Sequence, residues 1–219
     1  VEKRFTALLF TSAALILNLA SNLYGGNSDS GWYELLSGND LVGWYSNEET
    51  PGVFSMKEGI LTVKGGRSHL FWMGTESIPS TFENFELRTQ VKTTPGSNSG
   101  LFFHTKYQES GWPRHGYEAQ INTSHRDRQK TGSLYGVARV LDEAPSRDGE
   151  WFDYRIRVEG RTITIAVDGK VVSRYVEPEN FQPDPGRWEH RKLGRGTIAI
   201  QGHDPHSTVY FRKMKVRKL

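Results

Sequence analysis

The chain reads as an all-β protein, a two-sheet antiparallel jelly-roll sandwich. Three observations predict this. Apolar and polar residues alternate in short runs, as they do along half-buried strands. Turn signals separate those runs at close intervals, and 23 glycines among 219 residues supply them. No window sustains a helical period over ten residues. At least a dozen short strands in about 190 residues fit two packed antiparallel sheets.

The elements follow in order from residue 31. Tyr33–Leu36 and Val42–Tyr45 flank the turn Ser37-Gly38-Asn39-Asp40. Val53–Met56 and Ile60–Val63 form a hairpin across Lys57-Glu58-Gly59. His69–Met73 is a further apolar run, and Asn84–Lys92 alternates over its whole length. Thr94-Pro95-Gly96-Ser97 turns that strand into Asn98–His104, and Gly116–Asn122 comes next. Trp151–Val158 and Thr162–Val167 pair across Glu159-Gly160-Arg161, and Asp168-Gly169 is a favoured hairpin turn into Lys170–Val176. Gly196–Asp204 precedes a terminal strand. There Val209 and Phe211 share one parity while Met214 and Val216 share the other, so a β-bulge is expected near Arg212-Lys213. Residues 129–140 and 178–193 are long and irregular, as binding loops often are.

Three of these strands carry a polar face. Side chains alternate with period two, so Asn98 and His104 share one side of their strand, away from Leu101 and Phe103. Glu118, Gln120 and Asn122 lie opposite Tyr117 and Ile121, and Gln201 and His203 form a third polar row beside Ile198 and Ile200. Amides, a carboxylate and imidazoles on one sheet suit a sugar-sized cleft, with amides holding hydroxyls and Glu118, His203 or His104 moving protons. Tyr135 and Arg139, in an irregular stretch, are placed to close over it. Trp72, Trp112 and Trp188 are candidate stacking rings, although aromatic residues also favour strands for packing alone.

Several classes are disfavoured. A net charge of +3 gives no phosphate-binding surface, and the basic run Arg212–Lys218 reads as a solvated strand. There is no cysteine, hence no disulfide, thiolate nucleophile or Cys-ligated zinc. His104, His203 and Glu118 lack metal-ligand spacing, and no Gly-rich phosphate loop or nucleophile elbow occurs. No metal and no cofactor is assigned. Lys3 and Arg4 precede an apolar run from Phe5 to Ala20 and then small polar residues, the pattern of a secretory signal. The run is short against the ~20 residues of a membrane span. Residues 1–30 are therefore read as a leader, residues 31–219 as one domain, and the protein as periplasmic or extracellular.

Three functions remain open on the residues alone. A conventional glycosidase needs two carboxylates about 5 to 9.5 Å apart, yet one strand face offers one acid and two amides; Glu86 or Asp204 would have to supply the second. A lectin-like module needs only the amides and stacking rings. A single-base enzyme needs Glu118 and a histidine.

Several blocks together resemble the 3-keto-disaccharide hydrolase domain family: Leu35–Trp44, Asn98–Phe103, Gly116–Ile121, Thr131–Tyr135, Glu150-Trp151, Gly196–His203 and Val209–Arg212. The resemblance spans residues 32 to 219. It implies a concanavalin-A-like jelly roll in an exported bacterial protein acting on carbohydrate oxidised at C3. A ketone at C3 acidifies the C2 proton, so one base suffices: the C1 substituent leaves by β-elimination and water adds back. Two positions depart from the family pattern: His104 ends its strand where Arg is usual, and Asn122-Thr123 replaces a Gln-x-x-Asp ending. The partner implied is an oxidised di- or glycoside; on charge and on the leader reading, no nucleic acid and, after signal cleavage, no membrane is expected.

Overall fold

The computed structural model describes residues 31–47, 49–186 and 189–219. The expected leader and Trp188 lie outside them. Eleven strands are described: β1 (Tyr33–Glu34), β2 (Trp44–Ser46), β3 (Phe54–Lys57), β4 (Ile60–Trp72), β5 (Phe85–Thr93), β6 (Asn98–Thr105), β7 (Tyr117–Asn122), β8 (Phe152–Glu159), β9 (Thr162–Val167), β10 (Lys170–Val176) and β11 (Thr197–Lys218). Every pairing between them is antiparallel. The described residues contain no helix.

Two long strands build the sandwich. The sequence suggests separate runs at 60–63 and 69–73, and again at 196–204 and 209–216. In the structure each pair is one strand, β4 and β11, and β4 runs beside Ala199–Arg212 of β11. Along Val209–Lys218 the other edge of β11 pairs with β5, followed by β8, β9 and β10. Along Thr197–Ile200 that edge pairs with β6, followed by β7. The shared strands thus turn from one layer into the other between Gly202 and Thr208, where the register with β4 shifts twice. Glycine is required at this corner. A Cβ on Gly202 would meet Val53 Cγ1 at 2.6 Å and the Gly66 carbonyl oxygen at 3.0 Å.

The core lies between the layers. Leu87, Val91, Ile156, Ile165 and Phe211 from the first sheet form one cluster with Leu101, Phe103, Tyr117, Ile121 and Ile198 from the second. Phe85 meets Phe103 across it at 5.9 Å, and the Tyr154 hydroxyl donates to the Gln120 carbonyl at 2.9 Å. The expected bulge is present. The β5–β11 register shifts between Arg212 and Lys215, Lys213 adopts a φ of 52°, and Phe211, Met214 and Val216 are all fully buried. The extra residue resets the parity so that both apolar pairs face the core.

Candidate active site

The outer face of the second sheet, opposite the core, carries the polar rows. Glu118 on β7 stands opposite Phe102 on β6, Phe102 opposite Ala199 on β11, Ala199 opposite Phe71 on β4, and Phe71 opposite Tyr45 on β2. Gln120 pairs with Gly100, and Gln201 with His69, in the next row. Strand pairing therefore places Glu118, Gln120, Asn98, Gln201 and His203 on one floor. They line a cleft of about 520 Å³ with Phe102, Trp112, Arg114, Asp127, Tyr135 and Arg191. That volume is typical of small-molecule sites. All of β6 and β7 is buried on both faces, because loops between β6 and β7, β7 and β8, and β10 and β11 roof the floor.

Glu118 and Gln201 are joined across β6. Gln201 Nε2 donates to Glu118 Oε1 at 3.0 Å. Gly100 makes the approach possible, since a Cβ there would sit 2.5 Å from Glu118 Oε1 and 3.0 Å from its Cγ. Gln120 Nε2 donates to Asn98 Oδ1 at 3.2 Å. The remaining amide oxygens, Gln120 Oε1 and Gln201 Oε1, are buried without a protein partner. Such exceptions to full hydrogen bonding ask for a functional reason.

His203 is held by its neighbour. Asp204 Oδ2 accepts from His203 Nδ1 at 2.9 Å and from Ser207 Oγ at 2.6 Å, while Asp204 Oδ1 accepts the His206 amide at 2.9 Å. Burial pushes the Asp204 carboxyl up, but the hydrogen bonds from Ser207, His203 and the His206 amide together outweigh it and hold it at about 2. A carboxylate on Nδ1 fixes the tautomer that leaves Nε2 with a lone pair. The ring lies against Trp112, with centroids 5.2 Å apart.

His125 completes a cluster with His203 and Asp204, whose candidate ligand atoms lie within 4.8 Å of one another. Its hydrogen bonds do not fit metal ligation. Nδ1 accepts the Asp127 amide at 3.1 Å and faces Asn98 Nδ2 at 3.2 Å, so the ring proton sits on Nε2, 3.9 Å from Asp204 Oδ2. A ligating histidine needs the reverse, a lone pair toward the ion and a donated proton behind. Within the trio, His203 and Asp204 are hydrogen-bonded, and His125 meets the His203 ring edge-on at 5.4 Å.

Three expected residues stand apart. His104 does not face the cleft. It adopts a φ of 55° where the β6–β11 register shifts, and its ring turns to the end of the sheet, edge-on to Phe85 and Phe103. There Nε2 meets the Glu83 carbonyl at 2.9 Å and Nδ1 accepts the Gly194 amide. Burial lowers its pKa to about 4, against a smaller opposing pull from Glu83, so the ring is neutral. Asn122 is fully buried and donates to the carbonyls of Asp127 and Gln129 at 2.9 and 2.8 Å, pinning a roof loop from below. Arg139 is exposed and lies outside the cleft lining. Tyr135 does line it, with its hydroxyl donating to Asp127 Oδ2 at 3.0 Å. Of the proposed stacking rings, Trp72 belongs to the core and Trp112 to the cleft.

Asp204 as the partner of His203, His125 edge-on to its ring, and the buried Arg191 are additions from the structure. Asp204 was visible as the residue next to His203; Arg191 carries no local signal within its irregular loop.

A jelly-roll sandwich with a roofed polar cleft on one outer face has the shape of a small-molecule binding protein. The chain belongs to the 3-keto-alpha-glucoside-1,2-lyase-like domain family, whose model matches residues 31–217. A 3-keto-disaccharide hydrolase of Bacteroides thetaiotaomicron is 21% identical over 231 residues, which cover 86% of this chain and 79% of that protein. The crystal structure of a provisionally assigned glycosyl hydrolase of Parabacteroides distasonis superposes with a TM-score of 0.71 at 19% identity, over 86% of this chain and 94% of the other. The carbohydrate binding module CBM66 of Bacillus subtilis gives a TM-score of 0.56 at 11% identity, over 80% and 96%. Both structures share the fold.

Proposed function

We propose that this protein cleaves 3-keto-glycosides with His203 as the base. The observation that carries the reading is the pairing of His203, on the floor of the cleft, with Asp204. Asp204 is held ionised far below neutral pH and fixes the Nδ1 proton, so Nε2 is available to accept one. In the reaction His203 takes the proton from C2, the electron pair moves into the C2–C3 bond, and negative charge develops on the C3 oxygen. The enolate then collapses to a C1–C2 double bond as the C1–O bond breaks, and the departing oxygen gains a proton. Water adds across the double bond, hydroxyl to C1 and proton to C2, and releases the free 3-keto sugar. No oxocarbenium ion forms, and no second carboxylate is needed.

The other cleft residues take supporting roles in this reading. Arg191, whose guanidinium also donates to the Tyr135 carbonyl, brings positive charge to the site for the enolate oxygen. Glu118, with Gln201, accepts a substrate hydroxyl or passes a proton to the leaving group. Asn98 and Gln120 bind hydroxyls. Asp127 is engaged by Tyr135 and by the Gln129 amide, and Glu189 pairs with His190 at 3.2 Å, which disfavours both as glycosidase partners for Glu118. The reading includes export, carried by the Lys3-Arg4 start and the apolar run behind it; fractionation of expressing cells tests it.

The enzyme is tested on a chemically prepared methyl 3-keto-glucoside. Wild type is expected to release 3-keto-glucose. Asp204→Asn, which loses the tautomer control, is expected to lower kcat about 100-fold or more, and His203→Asn further still. Sugar binding without turnover by wild type would instead establish a binding module.

A further inference from the structure

Beyond the cleft, the same face of the second sheet continues as a chain of aromatic rings toward its β2 edge. Phe102 lines the cleft, and His69 packs on it at 5.6 Å. Phe71 follows His69 at 6.2 Å, Tyr107 lies on Phe71 at 5.2 Å, and Tyr45 meets Tyr107 at 5.5 Å. The inner members, Phe71, Phe102 and Ala199, form a small buried cluster separate from the main core. Its outer members emerge: Tyr45 is 58% exposed, Trp112 42% and Tyr107 38%.

Strand pairing sets the direction of this track. Tyr45, Phe71, Ala199, Phe102 and Glu118 occupy one cross-strand row, so the exposed rings lie in line with the cleft. β2 is two strands from β11, about 10 Å across the sheet, which is beyond the reach of a single ring seated over His203. Trp112 bridges the gap, edge-on to His69 and against His203. The loop that carries Trp112 and Tyr107 is tethered: Glu49 accepts the Gly111 amide at 2.9 Å and pairs with Arg67, whose guanidinium lies over the Trp112 ring. Tyrosine gives rigid, amphipathic contact area at low entropic cost.

We propose that Trp112, Tyr107 and Tyr45 form an extended subsite that takes the distal rings of an oligosaccharide whose keto-sugar occupies the cleft. The proposal rests on reading the cleft as a keto-glycoside site, and it names the substrate class as oligosaccharides longer than a disaccharide. Continuity with the cleft decides the occupant. A chain leaving C1 toward the open side of the sheet meets exposed ring surface with hydroxyl groups at its edge, which matches the mixed apolar and polar faces of a pyranose.

The test compares kcat/KM for a 3-keto-glucosyl trisaccharide with that for the methyl 3-keto-glucoside. Wild type is expected to prefer the trisaccharide, and the Tyr45→Ala/Tyr107→Ala double variant to lose about tenfold of that preference. The Tyr45→Phe/Tyr107→Phe variant is expected to keep it. Equal rates on both substrates in wild type, or an unchanged preference in the alanine variant, overturn the proposal. Calorimetric binding of the keto-trisaccharide to His203→Asn, with and without the two alanines, separates this result from failure of the chemistry. If no glycoside is cleaved but the alanines weaken binding about tenfold, the subsite stands and the catalytic reading falls. If they leave binding unchanged, the subsite falls.

Discussion

Glycine decides what Glu118 can do. Its side chain crosses above Gly100 to reach Gln201 because nothing projects from β6 at that point. Gly100→Ala would place a methyl group 2.5 Å from Glu118 Oε1, and the carboxylate must move away. The expected result is a kcat at least ~10-fold lower on a 3-keto-glycoside, with unfolding temperature little changed, because the displaced atom is the end of a side chain rather than backbone. Kinetics beside thermal unfolding checks this; an active Gly100→Ala enzyme removes Glu118's position from the mechanism. At this scale the site was partly legible. Period two set Glu118, Gln120, Asn98, Gln201 and His203 on one face because a strand's faces follow from its pleat. The same rule misplaced His104, since a left-handed residue at a register shift leaves the alternation, and that shift arises from pairing with a strand some ninety residues away. It also gave Asn122 to the substrate, whereas proximity to a loop claimed its amide first.

Whole elements explain how the floor becomes a closed pocket. β6 and β7 supply flat geometry, and three loops supply the roof. Asn122 sits at the end of β7, where the chain turns out, and its two donated hydrogen bonds hold residues 127 and 129 above the floor. Asn122→Ala leaves those carbonyls without their buried donor, a loss of about 1–3 kcal/mol. Hydrogen exchange across residues 123–131 is expected to quicken, and KM to rise several-fold with a smaller change in kcat. Protection unchanged from wild type would mean that the loop is held by other contacts. The elements themselves were legible wherever two faces differ in polarity. The unions of short runs into β4 and β11 were not, because a glycine at a corner and a glycine in a turn look alike in sequence. Gly65 and Gly202 flank the register shifts between β4 and β11, and Val53 packs where a side chain on Gly202 would stand.

Across the whole molecule, two buried histidines couple stability to pH. His69 is fully buried, and desolvation brings its pKa to about 3; His104 stands at about 4 for the same reason. Both pKa values are depressed relative to an unfolded value near 6.5. Below that pH the unfolded chain binds protons that the native protein refuses, so stability falls as pH drops from about 6.5 toward 4 and 3. Each histidine contributes up to about 1.4 kcal/mol per pH unit. Asp204 acts lower: its carboxyl, held at about 2, contributes stability above the unfolded value near 4 that is lost as pH falls through 2. Urea unfolding between pH 7 and 4 is expected to show this decline, and His69→Phe to make it shallower; a flat profile in wild type contradicts the burial of both rings. The sandwich itself was readable from composition and turn spacing, since two layers are the way to bury so many one-sided strands.

The chemistry is decided by the hydrogen on C2. Cleavage of methyl 3-keto-glucoside in heavy water, followed by NMR at early times, reads whether the released sugar carries deuterium at that carbon. Elimination through His203, exchange of the abstracted proton with solvent, and rehydration place solvent deuterium at C2 of the product, and turnover is lost in His203→Asn. Released sugar that retains its original C2 proton, with turnover undiminished in His203→Asn, would contradict proton abstraction by His203 and point to direct displacement at C1.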